Sequence, residues 1–152
     1  MMRPASILVL AVGNLSRGDD ALGPLLAERV TAAALADVEV IVDYQLQVEH
    51  ALDLVGRKRV IFVDAGVDTE SPFEFRWVVP AADYLHTSHA LSPEAVLATY
   101  VRLQGKPPPE SWLLCIRGER FELGEELSDE ACERLEAATQ ALLNVIGRAE
   151  AA

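Results

Sequence analysis

The feature that most constrains the fold is an unbroken apolar run near the start of the chain, Ile7 to Val12. It is cut off at once by Gly13-Asn14, a pair typical of a turn. A run of this length between such flanks is typical of a β-strand that is buried on both faces. Such a strand belongs in the interior of a sheet that is covered by helices on either side, so the run predicts an α/β fold.

The remainder of the sequence alternates between strand and helix patterns. Four further strands are predicted at 38–42, 60–63, 73–79 and 112–116. Helices are predicted at 22–35, 48–55 and 92–103, with a last one beginning at 128. This alternation predicts one α/β domain over 1–152, a three-layer α/β/α arrangement around a mostly parallel sheet of about five strands. We expect 147–152 to form a frayed tail.

Charge and hydropathy exclude several classes of protein. The formal net charge of -11 and the pI of about 4.6 disfavour binding to nucleic acid or to an anionic membrane, since both require a basic surface. No apolar stretch approaches the roughly 20 residues of a membrane helix. The segment before Ile7 is too short for the basic start of a secretion signal, which predicts a cytoplasmic protein.

Cys115 and Cys132 are too few for a disulfide framework, and we expect buried free thiols.

Polar residues that follow the strands are the candidates for a functional site. Ligands of parallel α/β sheets bind beyond the carboxyl ends of the strands. Asp19 and Asp20 follow the first strand, Asp64 ends the third, and His86 and His89 follow the fourth. Carboxylate oxygen and imidazole nitrogen suit a divalent ion such as nickel or zinc. Residues from these separate loops could therefore meet around one metal ion.

Each candidate also has a purely structural explanation. Asp20 could cap the helix that follows it, and Asp64 could hold a turn. His89 could be hydrogen-bonded only, and a His86–His89 pair is disfavoured because the segment between them resembles a loop. His50 is expected on the solvated face of a short helix.

Known nucleotide and serine-hydrolase motifs are absent. The loop 13–18 follows a strand and precedes a helix, but it lacks the second glycine of a dinucleotide site. No Gly-Lys-Ser/Thr phosphate loop and no Gly-x-Ser-x-Gly nucleophile elbow occurs.

Four segments together resemble the hydrogenase maturation endopeptidases. The segment 7–23 has their apolar strand, Gly-Asn, variable loop, acidic pair and glycine. Val63-Asp64-Ala65 is similar to their strand ended by aspartate, and 87–92 to their histidine before a helix. The segment 124–128 matches their Gly-x-x-Leu-Ser lead into the final helix. These segments span nearly the whole chain in the expected order.

This resemblance implies a metal-binding triad of Asp20, Asp64 and His89. It also implies an endopeptidase that removes the C-terminal extension of a nickel-loaded hydrogenase large-subunit precursor. Nickel is then recognised in the precursor, another divalent ion could replace it in vitro, and the protease is expected to be a monomer. Departures from the family pattern are Ala21 in place of glycine, Asp20 where some relatives have Glu, and a missing Glu-Pro around 116–119. The segment 43–47 is similar to the branch that serves cytoplasmic NAD-reducing hydrogenases.

The chemistry and two rival functions stay open at this point. A divalent ion could activate water and polarise the peptide carbonyl. Alternatively, Asp20 and Asp64 could act as general base and acid, as in an aspartic-type peptidase. The rivals are a non-catalytic nickel-binding chaperone for hydrogenase assembly and a generic metal-dependent peptidase.

Overall fold

The structure, a computed structural model, describes residues 3–81 and 91–151. Its strands form one sheet in the order β2-β1-β3-β5-β4. Neighbouring strands run parallel except β4, which is antiparallel to β5. The strands are β1 (Ile7–Val12), β2 (Val38–Asp43), β3 (Arg59–Gly66), β4 (Phe73–Trp77) and β5 (Glu110–Arg117).

Helices cover both faces of this sheet. They are α1 (Leu22–Ala32), α2 (His50–Asp53), α3 (Pro93–Gln104) and α4 (Asp129–Ala151), with a 3-10 turn at Gly18–Ala21 before α1. Apolar residues of α1 and α4 pack on one face of the sheet, and those of α2 and α3 pack on the other. The prediction of a single three-layer α/β/α domain with a mostly parallel sheet is confirmed.

Strand β1 contributes to the core on both faces, as its sequence predicts. Every one of its residues is buried, and alternate side chains point to opposite faces because the strand is pleated. Ile7, Val9 and Ala11 join the core under α1 and α4, whereas Leu8, Leu10 and Val12 join the core under α2 and α3.

The strand order places a crevice between β1 and β3. The chain leaves β1 through α1 to reach β2 on one side, and it returns through α2 to reach β3 on the other side. The connections after β1 and β2 therefore lie on opposite faces of the sheet. In open α/β sheets, ligands bind at such a switch point, beyond the carboxyl ends of the strands.

Helix α3 begins and ends where the sequence predicts. The Ser92 hydroxyl accepts a hydrogen bond from the backbone N–H of Ala95 at 3.1 Å, and Pro93 occupies the first helical position. Gly105 ends the helix in a left-handed conformation with φ of 67°.

Several element boundaries differ from the prediction. The first helix ends at Ala32 because Ala34 and Asp37 have positive φ, and α2 is shorter than 48–55. β4 ends at Trp77 rather than at residue 79. Helix α4 extends to Ala151, and the fraying of 147–152 stays a prediction.

Two further expectations concern the thiols and the membrane. The expectation of two buried thiols is wrong for Cys132, which is exposed on α4, while Cys115 is partly buried; both are free. Among residues 3–81 and 91–151, no helix combines the length and the apolar character that crossing a membrane requires.

Candidate functional site

Asp20 and Asp64 line the same cleft at the carboxyl ends of β1 and β3. The cleft has a volume of about 290 Å³. Its walls come from the end of β1, the loop after β2, the end of β3 and the start of α3. The lining residues are Val12, Asp20, Tyr44, Gln45, Leu46, Asp64, Leu91, Ser92 and Pro93. The two aspartates selected from the sequence are therefore brought together by the fold.

Asp20 is held by the turn that follows β1. Its Oδ2 accepts a hydrogen bond from the backbone N–H of Asn14 at 2.8 Å. The structure does not bear out the capping alternative, because α1 is preceded by Ala21 and has no side-chain cap. Through this hydrogen bond, the Asp20 carboxylate holds the loop between Asn14 and Asp20 closed. Its other oxygen, Oδ1, accepts no hydrogen bond from a described residue.

Two glycines allow this turn to close tightly. A Cβ on Gly13 would lie 2.0 Å from the backbone oxygen of Asp20, and the φ of Gly13 is 149°. A Cβ on Gly23 would lie 2.3 Å from the backbone oxygen of Val12. No other residue fits at either position without moving backbone, so the turn and α1 are fixed against the end of β1.

Asp64 ends the buried part of β3 and faces the cleft. Its Oδ1 accepts a hydrogen bond from the backbone N–H of Ala65 at 2.8 Å. Burial, together with the negative charge of Asp20, raises the pKa of Asp64 to about 7, although the Ala65 hydrogen bond opposes the shift. Near neutral pH this carboxyl group can therefore either hold or release a proton, and it is close enough to Asp20 to sense its charge.

Asp19, the neighbour of Asp20, is fully buried and points away from the cleft. Its Oδ2 accepts hydrogen bonds from the backbone of Glu119 and Arg120 and from the Ser128 hydroxyl, and its Oδ1 accepts one from the Ser128 backbone. Burial opposes ionisation, yet these hydrogen bonds outweigh it, and the pKa of Asp19 is lowered. Asp19 thus anchors the 3-10 turn to the loop between β5 and α4.

His50 is buried, which corrects the expectation of a solvated helix face. Its side chain lies at the start of α2 with the residue only 5% exposed. Nδ1 accepts a hydrogen bond from the backbone N–H of Gln47 at 2.8 Å, and Nε2 lies 3.2 Å from Oδ2 of Asp43. Because both ring nitrogens are engaged, His50 closes the loop that carries Tyr44 to Leu46 into the cleft wall.

His89 and His86 lie outside the described residues. Leu91, two positions after His89 in the sequence, lines the cleft, and its backbone N–H donates to the carbonyl of Leu46 at 3.3 Å. Within 3–81 and 91–151, no group of three acidic, histidine or cysteine side chains could hold a metal ion. The triad of Asp20, Asp64 and His89 accordingly stays a prediction.

Sequence reasoning overlooked the wall formed by Tyr44, Gln45 and Leu46. These residues follow β2, and the rule that selected Asp20 and Asp64 applies to them as well. Applied to the second strand, the same rule would have found this wall. The hydrogen bonds that hold Asp19 could not be predicted from the sequence in this way, because its partners lie about a hundred residues further along the chain.

Comparison with known proteins gives a consistent fold. No protein-family profile and no curated protein sequence matches the chain. Among solved structures, the [NiFe] hydrogenase maturation protease HycI from Thermococcus kodakarensis KOD1 has a TM-score of 0.72 at 24% identity, covering 94% of this chain and 93% of that one. The hydrogenase maturating endopeptidase HybD from E. coli gives the same four values. The hydrogenase 3 maturation protease has a TM-score of 0.65 at 25% identity, covering 91% of this chain and 90% of that one.

These structures match the chain over nearly its whole length, and the match includes the sheet whose carboxyl ends form the cleft. The chain therefore has the fold of the hydrogenase maturation proteases.

Proposed function

We propose that this chain is an endopeptidase that removes the C-terminal extension of a nickel-loaded hydrogenase large-subunit precursor. The observation that carries the proposal is the meeting of Asp20 and Asp64, from two separate strand ends, in one cleft. The fold of solved hydrogenase maturation proteases supports the same reaction. We place the protein in the cytoplasm and expect it to act as a monomer.

The cleft suits a divalent cation chemically. Two carboxylates face it, and the negative charge of Asp20 contributes to the raised pKa of Asp64. A cation between them would relieve this repulsion and favour the ionised form of Asp64. In the proposal, Asp20, Asp64 and His89 hold the nickel ion that the precursor brings, so that only a loaded precursor is positioned for cleavage.

The chemical roles of the two carboxyl groups follow from their surroundings. With a pKa of about 7, Asp64 can exchange a proton near neutral pH, which suits a general acid or base. Asp20 is fixed by Asn14 and provides a negative charge at the cleft. The nickel ion would supply Lewis acidity toward the scissile carbonyl.

Cleavage of purified precursor tests the proposal. Nickel-loaded precursor is incubated with wild-type protein, His89→Ala or the matched control His86→Ala, and the mass of the large subunit is followed by mass spectrometry. We expect wild type and His86→Ala to release the C-terminal extension, and His89→Ala to leave the precursor intact. Full processing by His89→Ala would refute the triad.

The two rival functions correspond to other outcomes of this experiment. A nickel-binding chaperone would bind loaded precursor without any change in its mass. A generic peptidase would cleave unrelated peptides in the absence of a hydrogenase subunit and would retain a metal ion after purification. Either result would overturn the proposed function.

A further inference from the structure

Within residues 3–81 and 91–151, the outer edge of β2 is open. β2 is the first strand of the sheet order, and among the described residues no strand pairs with its outer side. Val42, near its carboxyl end, is 49% exposed, and Tyr44, just beyond the strand, is 75% exposed. An open edge next to exposed apolar side chains is a surface on which another extended chain can add.

The hydrogen bonds to β1 show which peptide groups of β2 face outward. The Asp37 carbonyl accepts from the N–H of Ile7 at 3.2 Å, and the Asp43 carbonyl accepts from the N–H of Gly13 at 3.1 Å. In a parallel pair, alternate residues direct both backbone groups toward the same neighbour. Residues 37, 39, 41 and 43 therefore face β1. The N–H and C=O groups of Val38, Val40 and Val42 face the open edge.

Two hollows follow this edge on the side of α1 and lead toward the cleft. The first, of about 270 Å³, lies between the end of α1 and the start of β2 and is lined by Val30, Leu35, Val38 and Val40, among others. The second, of about 440 Å³, is lined by Leu15, Pro24, Val42 and Tyr44, among others. Tyr44 also lines the cleft that contains Asp20 and Asp64. An extended chain along β2 would therefore be directed into the candidate site.

The charged residues that line this path are all acidic, and one of them, Glu39, is paired with Arg57 at 2.7 Å. Glu39 lines the first hollow, Asp43 the second, and Asp20 and Asp64 the cleft, whereas no Lys or Arg is among the described residues that line any of the three. The whole chain carries a formal net charge of -11. These carboxylates favour a segment with basic side chains and disfavour an acidic one.

We propose that an extended segment of the precursor, apolar with basic residues, docks on the open edge of β2 as an added strand. The inference rests on the proposed function and specifies how that substrate is held. Main-chain hydrogen bonds to Val38, Val40 and Val42 provide affinity, and the apolar hollows accept alternate side chains. The outward groups from residue 38 to residue 42 span about 13 Å, which matches a segment of about five residues.

A proline at position 42 tests the docking, because it removes an outward donor without removing a bond to β1. Proline is tolerated on an edge strand where its nitrogen faces solvent. Val42→Ala is the matched control, since it shortens the same side chain but keeps the N–H. We expect Val42→Pro to raise KM for nickel-loaded precursor about tenfold with kcat nearly unchanged. Val42→Ala shortens a side chain of the second hollow but keeps the N–H, and we expect it to raise KM by less than about threefold. Equal KM values for the two variants would overturn the docking.

Amide exchange in the wild-type protein tests the docking without a variant. If Val42→Pro does not melt cooperatively, the exchange of the Val40 and Val42 N–H groups is measured by NMR with and without precursor. Slower exchange of both on addition of precursor supports the added strand, and unchanged exchange of both at saturation overturns it. A precursor that wild type binds with this protection but does not cleave would refute the proposed function while leaving the docking intact. Cleavage without protection would refute only the docking.

Discussion

Two adjacent carboxylates have opposite surroundings in this molecule. Asp19 is fully buried in an anchor formed with Glu119, Arg120 and Ser128, and four hydrogen bonds lower its pKa. Asp20 lies in the cleft, where it accepts one described hydrogen bond, and its charge adds to the burial that raises the pKa of Asp64. An acidic pair in a sequence therefore does not reveal which member the fold buries and which it leaves in a cleft. What distinguishes them is how completely the fold satisfies each carboxylate.

The difference has a clear physical origin. Four hydrogen bonds from the loop between β5 and α4 stabilise the ionised form of Asp19 strongly enough to offset its burial. In the cleft, Asp64 accepts one hydrogen bond from a described residue, the Ala65 N–H, and burial together with a neighbouring negative charge favours its protonated form. The hydrogen bonds of the anchor therefore favour an ionised Asp19, whereas the surroundings of Asp64 favour a carboxyl group that holds its proton up to a higher pH.

The largest expected effect tests the role of the cleft. Asp20→Asn keeps an oxygen that can accept the Asn14 hydrogen bond, but it removes the negative charge. We expect precursor cleavage to fall by about 100-fold or more, and the free energy of unfolding to change by less than about 1 kcal/mol. Single-turnover cleavage and urea unfolding measure the two quantities. Near-wild-type cleavage would show that Asp20 is as structural as Asp19.

The second prediction concerns the anchor. Asp19→Asn places an amide N–H₂ against backbone donors and removes a charge that four donors stabilise. We expect the free energy of unfolding to fall by about 3 kcal/mol, which lowers Tm by roughly 6–12 °C in a domain of this size. Calorimetry checks this, with Asp20→Asn as the matched control. Equal melting temperatures for the two variants would show that Asp19 stabilises the fold no more than Asp20 does.

A smaller effect distinguishes the two regions by the sign of their pH dependence. The pKa of Asp64 is raised from 3.8 to about 7, so its protonated form is favoured in the folded state, and stability is lost as pH rises between about 4 and 7. The pKa of Asp19 is lowered, so its contribution to the stability of the fold is present above pH 3.8 and is lost as the pH falls below that value. Between pH 4.5 and pH 8 the free energy of unfolding of the wild-type protein should therefore fall, and we expect Asp64→Asn to make this fall smaller by about 2 kcal/mol. Urea unfolding in a metal chelator measures this, and parallel pH curves for the two proteins would contradict it.

The sequence predicted the layers of the fold better than their details. The apolar run from Ile7 to Val12 allows hardly any structure except a strand buried on both faces, and Ser92-Pro93 with Gly105 defines a helix locally. In contrast, His50 looked solvated because its partners, Asp43 and the Gln47 backbone, meet it only when the loop after β2 closes. The antiparallel direction of β4 likewise depends on pairing with β5, which no local pattern encodes.

The candidate site, like the fold, was predicted in part from the sequence. Asp20 follows β1 and Asp64 lies near the carboxyl end of β3, and carboxyl ends of parallel strands lie at one edge of a sheet, so their meeting follows from topology. The anchoring role of Asp19, in contrast, depends on Glu119, Arg120 and Ser128, which lie about a hundred residues away in the chain. Sequence periodicity carries no information about such contacts.

The close approach at Gly13 and Gly23 has a consequence for how such a protein can diversify. With backbone atoms where a Cβ would stand, the wall that carries Asp20 tolerates almost no substitution at these positions. Tyr44 on the opposite wall is three-quarters exposed and bears no such restriction. Selection for a new client would therefore remodel the β2 side of the cleft and leave the β1 side untouched. A library randomised at 44 and 45 should yield altered client preference, whereas one at 13 and 23 should yield mostly misfolded chains.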